Sequence, residues 1–297
     1  MPVLYVTASE AGAGKTGVAV AIARHYAYQG IPTKLVRFTG EGRAESDGRC
    51  FASLPFVPGS PPEPVDPASF TPPDAGDLAI IEGDPGDAPD GATVIQVARR
   101  ELPETGDGAT PTAVVVTDLP PYATLDAPGD EGPLVVSVPA DRCLAGFGID
   151  DIQRELSPEV LVEGEPERRD ASCDYLVIAP IGSDAGQPYF RRFPRAAVVV
   201  RYDKTDMHLA AIRAEPVCLV LTGGRYPSTY TYDAAGAAGI PVYLSRADTE
   251  NTILALEDVF DRTRFNGEAK VSRMSELLGA TRLFEALDGS VPTPATR

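Results

Sequence analysis

The feature that most constrains this chain lies near its amino terminus, where a glycine-rich loop joins an apolar run to a helical stretch. Val3 to Thr7 predicts a buried strand, and the Ala/Val-rich segment from Gly17 to Gln29 predicts a helix closed by Gly30. The loop between them ends in Gly14-Lys15-Thr16. A strand, a glycine loop and a helix in this order are the context that a phosphate-binding loop requires.

The loop carries the groups that hold the phosphates of a nucleotide. Gly12 and Gly14 allow backbone amide groups to face a ligand, and the dipole of the following helix favours anions there. We expect Lys15 to neutralise the outer phosphates and the Thr16 hydroxyl to complete a magnesium shell. The predicted cofactors are therefore ATP or a related nucleotide, with Mg²⁺. Ser9, or Ala8 if the loop is one residue longer, replaces the first glycine of the usual motif. A glycine turn followed by a surface lysine is the structural alternative.

Acidic residues follow a second apolar run and extend this prediction to the metal. Leu78 to Ile81 predicts a buried strand that ends at Glu82, where the carboxylate would face the loop and order Mg²⁺ through water. Asp84 and Asp47 are further candidates, although carboxylates also occupy such positions for solubility alone. Arg37, at the end of the second predicted strand, is placed to contact phosphate or an anionic second ligand.

The first half as a whole predicts an α/β fold with a pared-down parallel sheet of the P-loop NTPase-like type. Gly83 to Ala92 and Arg99 to Thr112 are rich in Pro and Gly where a doubly wound sheet would place crossover helices. Gly40 to Ala75 is dominated by Pro, Gly and acidic residues, which predicts one long loop. Further strands of this sheet are predicted at Thr33–Phe38, Thr93–Val97, Ala113–Val116 and Leu134–Val138.

From about Ala145 the sequence alternates between strands and helices, which predicts a second, smaller α/β unit followed by C-terminal helices. The predicted domains are residues 1–143, 144–262 and 263–297. Strands are predicted at Tyr175–Ala179, Ala197–Tyr202, Val217–Leu221 and Pro241–Leu244, and helices at Asp206–Arg213, Thr231–Ala238, Thr249–Phe260, Glu268–Leu278 and Thr281–Leu287.

Two turns of the second unit form a further candidate site. A right-handed crossover places the turns after two successive parallel strands at the same edge of a sheet, where α/β proteins bind ligands. Helix capping by the residues of the first turn is the structural alternative. The candidate ligand-binding residues are Asp203, Thr205, Thr222, Gly223 and Gly224.

Charge and composition exclude several classes of protein. Lys and Arg number 26 against 43 Asp and Glu, and the formal charge of −17 argues against DNA or RNA as a partner. The four cysteines are too widely spaced for a zinc pair, and two histidines argue against histidine catalysis. The sequence has neither a signal peptide nor an apolar run of the roughly 20 residues that span a membrane. We therefore expect a cytoplasmic protein without a membrane partner.

The residues in this order resemble a known architecture. The run from Tyr5 to Thr16 is similar to the dethiobiotin synthetase-like P-loop domain at the N-terminus of long phosphotransacetylases. The second half resembles a DRTGG domain, named for its Asp-Arg-Thr and Gly-Gly elements, with Lys204 in place of the arginine. The matching elements are Val138 to Ala145, Tyr189 to Arg192, Asp203 to Asp206, Leu221 to Gly224, Gly239 to Val242 and Asp248-Thr249.

This resemblance implies a nucleotide-binding regulatory or scaffolding protein. A phosphotransacetylase needs a further acetyl-transferring domain, so no acetyltransferase activity is expected of this sequence. The expected partners are a second copy of the chain, because DRTGG domains pair, a metabolic enzyme, and a small-molecule ligand. The alternatives are an ATP-dependent carboxylase or amide ligase of the dethiobiotin synthetase type, with Arg37 on the anionic intermediate, and an interaction subunit with a relic loop.

Overall fold

The computed structural model describes residues 2–8, 10–40, 43–74, 76–103, 110–123, 125, 132–169, 171–179 and 189–293. By its contacts the chain forms two compact units. The first comprises Met1–Asp141 and Val271–Arg297, and the second comprises Arg142–Lys270. The domain limits given by the sequence, at residues 143 and 262, stay predictions.

The first unit is built on a six-stranded sheet in the order β2-β3-β1-β4-β5-β6, and all neighbouring pairs are parallel. The central strands β1 and β3 are buried along their whole length, which suits their continuous apolar sequences. The predicted α/β class with a parallel sheet is confirmed. The strands are β1 Val3–Ala8, β2 Thr33–Arg37, β3 Leu78–Glu82, β4 Thr93–Arg99, β5 Ala113–Leu119 and β6 Leu134–Pro139.

Helix α1, Lys15–Tyr28, follows the glycine loop directly and begins two residues before the predicted helix, so Lys15 and Thr16 lie in its first turn. The connections from β3 to β4, from β4 to β5 and from β5 to β6 are non-helical wherever the structure describes them. The expected shortage of crossover helices therefore holds for these described segments.

The prediction of one long loop over Gly40 to Ala75 is wrong, because Ala44–Ser53 forms helix α2. Only Ala44, Gly48 and Phe51 of this helix are buried, so its apolar stripe is too small to detect by periodicity. Gly48 weakens the helical signal further, yet a Cβ there would lie 2.7 Å from the Pro62 carbonyl oxygen. Close packing against Pro62 thus requires Gly48, and the same glycine makes the helix hard to predict from the sequence. A short 3₁₀ turn follows at Pro67–Ser69.

The C-terminal helices are α10, Glu268–Gly279, and α11, Leu283–Leu287, with a 3₁₀ turn at Asp288–Ser290. Within the first unit they anchor the second half of α1. Arg24 Nη1 donates to Ser272 Oγ at 2.8 Å, and Tyr26 Oη donates to Asp288 Oδ1 at 3.2 Å. The His25 ring stacks on Phe284 with centroids 3.6 Å apart. These contacts fix the helix that carries the glycine loop at its N-terminus.

The second unit contains a five-stranded sheet in the order β7-β11-β10-β9-β8, in which β7 is antiparallel to β11 and the other pairs are parallel. Buried clusters lie on both faces, one including Val198 and Leu219 and the other Val199 and Val220. The strands are β7 Glu159–Val162, β8 Tyr175–Ile178, β9 Ala196–Arg201, β10 Cys218–Thr222 and β11 Val242–Leu244.

The second unit differs from the prediction in one helix that is broken and in one strand and three helices that were not predicted. The helix expected over Thr249 to Phe260 is broken, because the polar pair Glu257-Asp258 separates α8 from α9. Strand β7 and helices α3 to α5 were not predicted, since they are short or half-exposed. The helices are α3 Arg142–Ala145, α4 Ile149–Leu156, α5 Pro166–Arg169, α6 Thr205–Ile212, α7 Thr229–Ala237, α8 Thr249–Leu256 and α9 Val259–Arg262. No helix in the described part of the chain has the length and apolar character needed to cross a membrane.

Candidate functional site

The glycine loop presents the N-terminus of α1 at the carboxyl edge of the first sheet. Gly14 precedes the helix with φ of +94°, and Gly12 has φ of +77°. A Cβ at Gly14 would make only ordinary contact with Thr117, at 3.6 Å, so the backbone conformation and not the available space demands glycine there. Because Gly14 is the N-cap residue and has no side chain, no side-chain cap occupies the first amide groups of α1. The first turn of the helix can therefore direct its amide groups at an anion.

Lys15 is held by a neighbouring carboxylate. Its Nζ lies 3.3 Å from Asp84 Oδ1 and donates to the Gly83 carbonyl at 3.4 Å. Tyr5 Oη donates to the Asp84 carbonyl at 2.7 Å, and a Cβ at Gly83 would overlap that tyrosine hydroxyl. Asp84 thus occupies a fixed position beside the lysine that the motif assigns to phosphate.

Glu82 and Thr16 lie next to this lysine. Thr16 Oγ1 donates to Glu82 Oε1 at 3.2 Å, and Glu82 is only 2% exposed. Burial, together with the nearby Asp47 carboxylate, raises the pKa of Glu82 to about 7, although Arg37, Lys15 and Thr16 oppose this. Among the residues that the structure describes, none donates a hydrogen bond to Glu82 Oε2. A buried carboxylate oxygen in this condition suits a cation or its bound water.

Arg37, at the end of β2, is almost completely buried. It is 2% exposed, and its Nη1 donates to the carbonyls of Phe38, at 2.9 Å, and Glu82, at 3.1 Å. Its Nε lies 3.9 Å from Glu82 Oε1 and 4.0 Å from Asp47 Oδ2. This buried position suits a counter-charge for the two carboxylates, whereas direct contact with phosphate stays a prediction.

The structure brings Asp47 to the site through α2, the helix that sequence reasoning missed. In the described ranges no three His, Cys, Asp or Glu side chains converge closely enough to hold a metal ion by themselves. The donor set of Thr16 and Glu82 nevertheless fits Mg²⁺, which binds few protein ligands and completes its shell with phosphate and water.

At the candidate ligand site of the second sheet, the polar side chains are hydrogen-bonded to other residues of the protein. Asp203 pairs with Arg201, whose guanidinium lowers the pKa of that carboxyl to about 2. Thr205 Oγ1 donates to Ser228 Oγ at 3.2 Å, and the Thr222 hydroxyl lies 2.7 Å from that of Thr249. Helix α6 begins after Lys204 without a side-chain cap bond. The bonds described for Asp203 and Thr205 run to Arg201 and Ser228, and helix capping by these two residues stays a prediction.

The two glycines of this edge also have internal partners. The Gly223 amide donates to the Ala247 carbonyl at 2.7 Å, and the Gly224 amide donates to the Ser245 carbonyl at 3.1 Å. Gly223 has φ of +94°, and a Cβ there would lie 2.8 Å from Tyr202 Cδ1. These glycines lock the turn after β10 against the end of β11.

His208 links elements at the same edge, a role that sequence reasoning did not identify. The side chain is fully buried, with Nδ1 3.0 Å from Thr231 Oγ1 and Nε2 2.9 Å from the Arg201 carbonyl. Burial lowers its pKa. A histidine bonded through both nitrogens is a structural link between β9, α6 and α7.

Two comparisons with known proteins were informative, and the first of them falls within the second unit. The family model described as the DRTGG domain matches residues 151–259. One similar solved structure is that of the CBS and DRTGG domains of the regulatory region of Clostridium perfringens pyrophosphatase, complexed with the activator diadenosine tetraphosphate. It is 16% identical with a TM-score of 0.34, over 47% of this chain and 63% of that one. The chain thus spans less than two thirds of that protein's length. The DRTGG domain predicted from the sequence is confirmed, and the resemblance of the first unit stays a prediction.

Proposed function

We propose that this chain is a nucleotide-binding regulatory or scaffolding protein, related to the N-terminal region of phosphotransacetylase and without acetyltransferase activity of its own. The first unit would bind the magnesium complex of ATP or a related nucleotide, and the DRTGG domain would bind a small ligand or mediate assembly. The observation that carries the proposal is the buried Glu82 carboxylate beside Thr16 and Lys15, at the N-terminus of α1.

Each residue has a defined part in binding. The amide groups of the loop and of the first helical turn would receive the phosphates, and Lys15 would exchange Asp84 for a phosphate oxygen. The Thr16 hydroxyl and Glu82, directly or through water, would hold Mg²⁺. Mg²⁺ supplies positive charge that shields the phosphates. Arg37 would keep the Glu82 carboxylate in place.

A regulatory role is favoured over an enzyme by what surrounds the loop. His25 stacks on Phe284 at the far half of α1, and both ring nitrogens of His208 are bonded to Thr231 and to the Arg201 carbonyl, so neither histidine is arranged as a general base. The non-helical connections described after β3 and β4 supply little wall for a pocket that holds two substrates. The alternative is an ATP-dependent carboxylase or amide ligase.

Calorimetry with Mg²⁺ and ATP, ADP or GTP tests the nucleotide site. Lys15→Ala should weaken binding by about one to two decades, because a charge-assisted phosphate contact contributes roughly 1.5–3 kcal/mol. Lys34→Ala, at an exposed lysine of β2, is the matched control and should bind like the parent. Equal binding by Lys15→Ala and the parent, or no binding at millimolar nucleotide, would make the loop a relic.

Phosphate release by the purified chain separates the two functions. A regulatory site should turn over slowly or not at all. Sustained release faster than roughly 1 per second lies in the range of ordinary enzymes and would favour the ligase.

Self-association is the remaining part of the proposal. Light scattering of the full chain should give the mass of a dimer, because a DRTGG domain is expected to pair. A monomer at tens of micromolar would remove the assembly role and leave only ligand binding for the second unit.

A further inference from the structure

Two guanidinium groups converge on one carboxylate oxygen at the carboxyl ends of β4 and β5. Arg99 Nε and Nη2 both lie 2.9 Å from Asp118 Oδ2, and Arg100 Nε and Nη2 lie 3.0 and 2.9 Å from the same oxygen. The side chains of Arg99 and Arg100 are 42% and 63% exposed. A pair of cations is thus held together at the surface by a single carboxylate.

The backbone at this cluster adopts a costly conformation. Arg100 has φ of +67°, and the Glu101 amide donates to the Arg99 carbonyl at 2.9 Å, so Arg100 is the centre of a three-residue turn. Asp118 has φ of +54°, and the pairing of β5 with β6 shifts register around it. Non-glycine residues in the left-handed region are uncommon, and they concentrate at ligand-binding sites.

The cluster also lies where a sheet of this topology binds ligands. Strand β1 has β3 and then β2 on one side and β4 and then β5 on the other, so the strand order reverses between β1 and β4. Ligands bind in the crevice outside the carboxyl ends of the strands at such a switch point. The glycine loop follows β1, and Arg99 ends β4.

Two hydrogen bonds tie the cluster to the glycine loop. The Arg99 amide donates to Glu10 Oε1 at 3.0 Å, and Thr117 Oγ1, beside Asp118, donates to the Ala13 carbonyl at 2.7 Å. The two guanidinium groups therefore have a fixed position relative to the loop, within the same unit.

We propose that Arg99 and Arg100 form a subsite for an anionic group, a carboxylate or phosphate of a small molecule, at this edge of the sheet. The planar fork of arginine matches the oxygens of such groups, and two forks offer more donors than the single Asp118 oxygen accepts. Asp118 keeps the two cations close enough to act on one ligand. The net charge of −17 repels anions from most of the chain, and two adjacent arginines would offset that repulsion locally.

The inference goes beyond the nucleotide site because it uses different residues. The anion is either a phosphate of the nucleotide on the glycine loop or part of a separate molecule. Calorimetry on the full chain distinguishes these sources with three probes, namely Mg-ATP, inorganic phosphate and succinate. The variants are the double substitution Arg99→Gln/Arg100→Gln and, as control, Arg282→Gln, an 80% exposed arginine paired with Glu285.

The expected result is that the double variant weakens at least one probe by about tenfold or more, while Arg282→Gln weakens none. If only Mg-ATP binds the double variant more weakly, the anion belongs to the nucleotide. If phosphate or succinate binds it more weakly, the anion belongs to a separate molecule. If Mg-ATP fails to bind the parent while phosphate or succinate binds and is lost in the variant, the proposed function falls and the subsite stands. The subsite is overturned if no probe binds the parent, or if every probe binds variant and parent alike.

A folding check keeps the test interpretable. Arg100→Gln leaves Arg99 on Asp118, so this single variant should unfold at the temperature of the parent and still bind the affected probe more weakly. Arg100→Lys keeps the charge but loses the fork, and its affinity should lie between those of the parent and of Arg100→Gln. Full retention of affinity by Arg100→Gln in a folded protein would contradict the assignment.

Discussion

The carboxyl edges of the two sheets occupy equivalent topological positions and differ in chemistry. At the first edge the described residues leave Glu82 Oε2 and Thr7 Oγ1 without hydrogen bonds, although both side chains are buried. At the second edge Asp203, Thr205 and Thr222 are all bonded to neighbouring side chains. The two edges therefore share a topology. The unsatisfied polar atoms at the first edge fit the ligand site that we propose there, whereas the bonded side chains at the second edge support the conformation of its turns.

The largest expected effect comes from adding side chains to equivalent glycines of the two edges. Gly223→Val should destabilise the second unit by about 3 kcal/mol, because the new side chain meets Tyr202 and the left-handed backbone disfavours a β-branched residue. Gly14→Ala has the same φ, but its Cβ would make only ordinary contact with Thr117, so it should cost about 1–2 kcal/mol and should chiefly weaken nucleotide binding. Urea unfolding and calorimetry of both variants measure this contrast. Equal destabilisation by the two would remove the distinction.

A buried lysine gives the second unit a pH dependence of its own. Lys270 is 1% exposed and donates to the Arg264 carbonyl at 2.8 Å, and burial lowers its pKa from 10.5 to about 8. Between these values the unfolded chain holds more protons, so the free energy of unfolding should rise with pH, by at most about 3 kcal/mol. Urea midpoints measured from about pH 7 towards pH 10 test this. Lys270→Met should remove the slope, and a slope that persists in this variant must come from other groups.

Removing the carboxylate that pairs with Lys15 should increase the affinity of the first edge for nucleotide. Asp84→Asn should raise nucleotide affinity about two- to fivefold, because the partly exposed pair contributes roughly 0.2–1 kcal/mol to the ligand-free state. Asp90→Asn, at an exposed residue of the same loop, is the control for the change in net charge. Weaker binding by Asp84→Asn would instead identify Asp84 as a ligand of the metal or its water.

The smallest effect is expected at the second edge. Arg201→Gln removes the partner of Asp203, but the pair is solvent-exposed and the thermal midpoint of the chain should not change measurably. Differential scanning calorimetry checks this. A drop of several degrees would mean that this ion pair supports the turn as strongly as the buried bonds do.

The sequence was sufficient wherever local signals act alone. The glycine loop, its strand and its helix follow from residues adjacent in the chain, and the buried strands follow from continuous apolar runs. Helix α2 escaped detection because Gly48 serves tertiary packing against Pro62. The left-handed conformations of Arg100 and Asp118 carry no sequence signal, because neither residue is a glycine.

Hydrogen-bond partners that are distant in the sequence could not be predicted from it either. Nothing in the run that ends at Arg37 shows that its guanidinium bonds the carbonyl of Glu82, 45 positions away. The pairing of Thr222 with Thr249 likewise depends on how α8 approaches β10. Residue types at strand ends can predict a candidate site, and only the tertiary contacts reveal which of them remain available for a ligand.

The C-terminal anchoring of α1 has a consequence for the order in which the molecule can be made. During translation the glycine loop is made before Ser272, Phe284 and Asp288, which hold the second half of the same helix and follow the whole DRTGG domain. Domains tend to fold during synthesis as each is completed. The nascent chain therefore carries its glycine loop on a helix whose C-terminal support is absent until residues 272–288 have been translated.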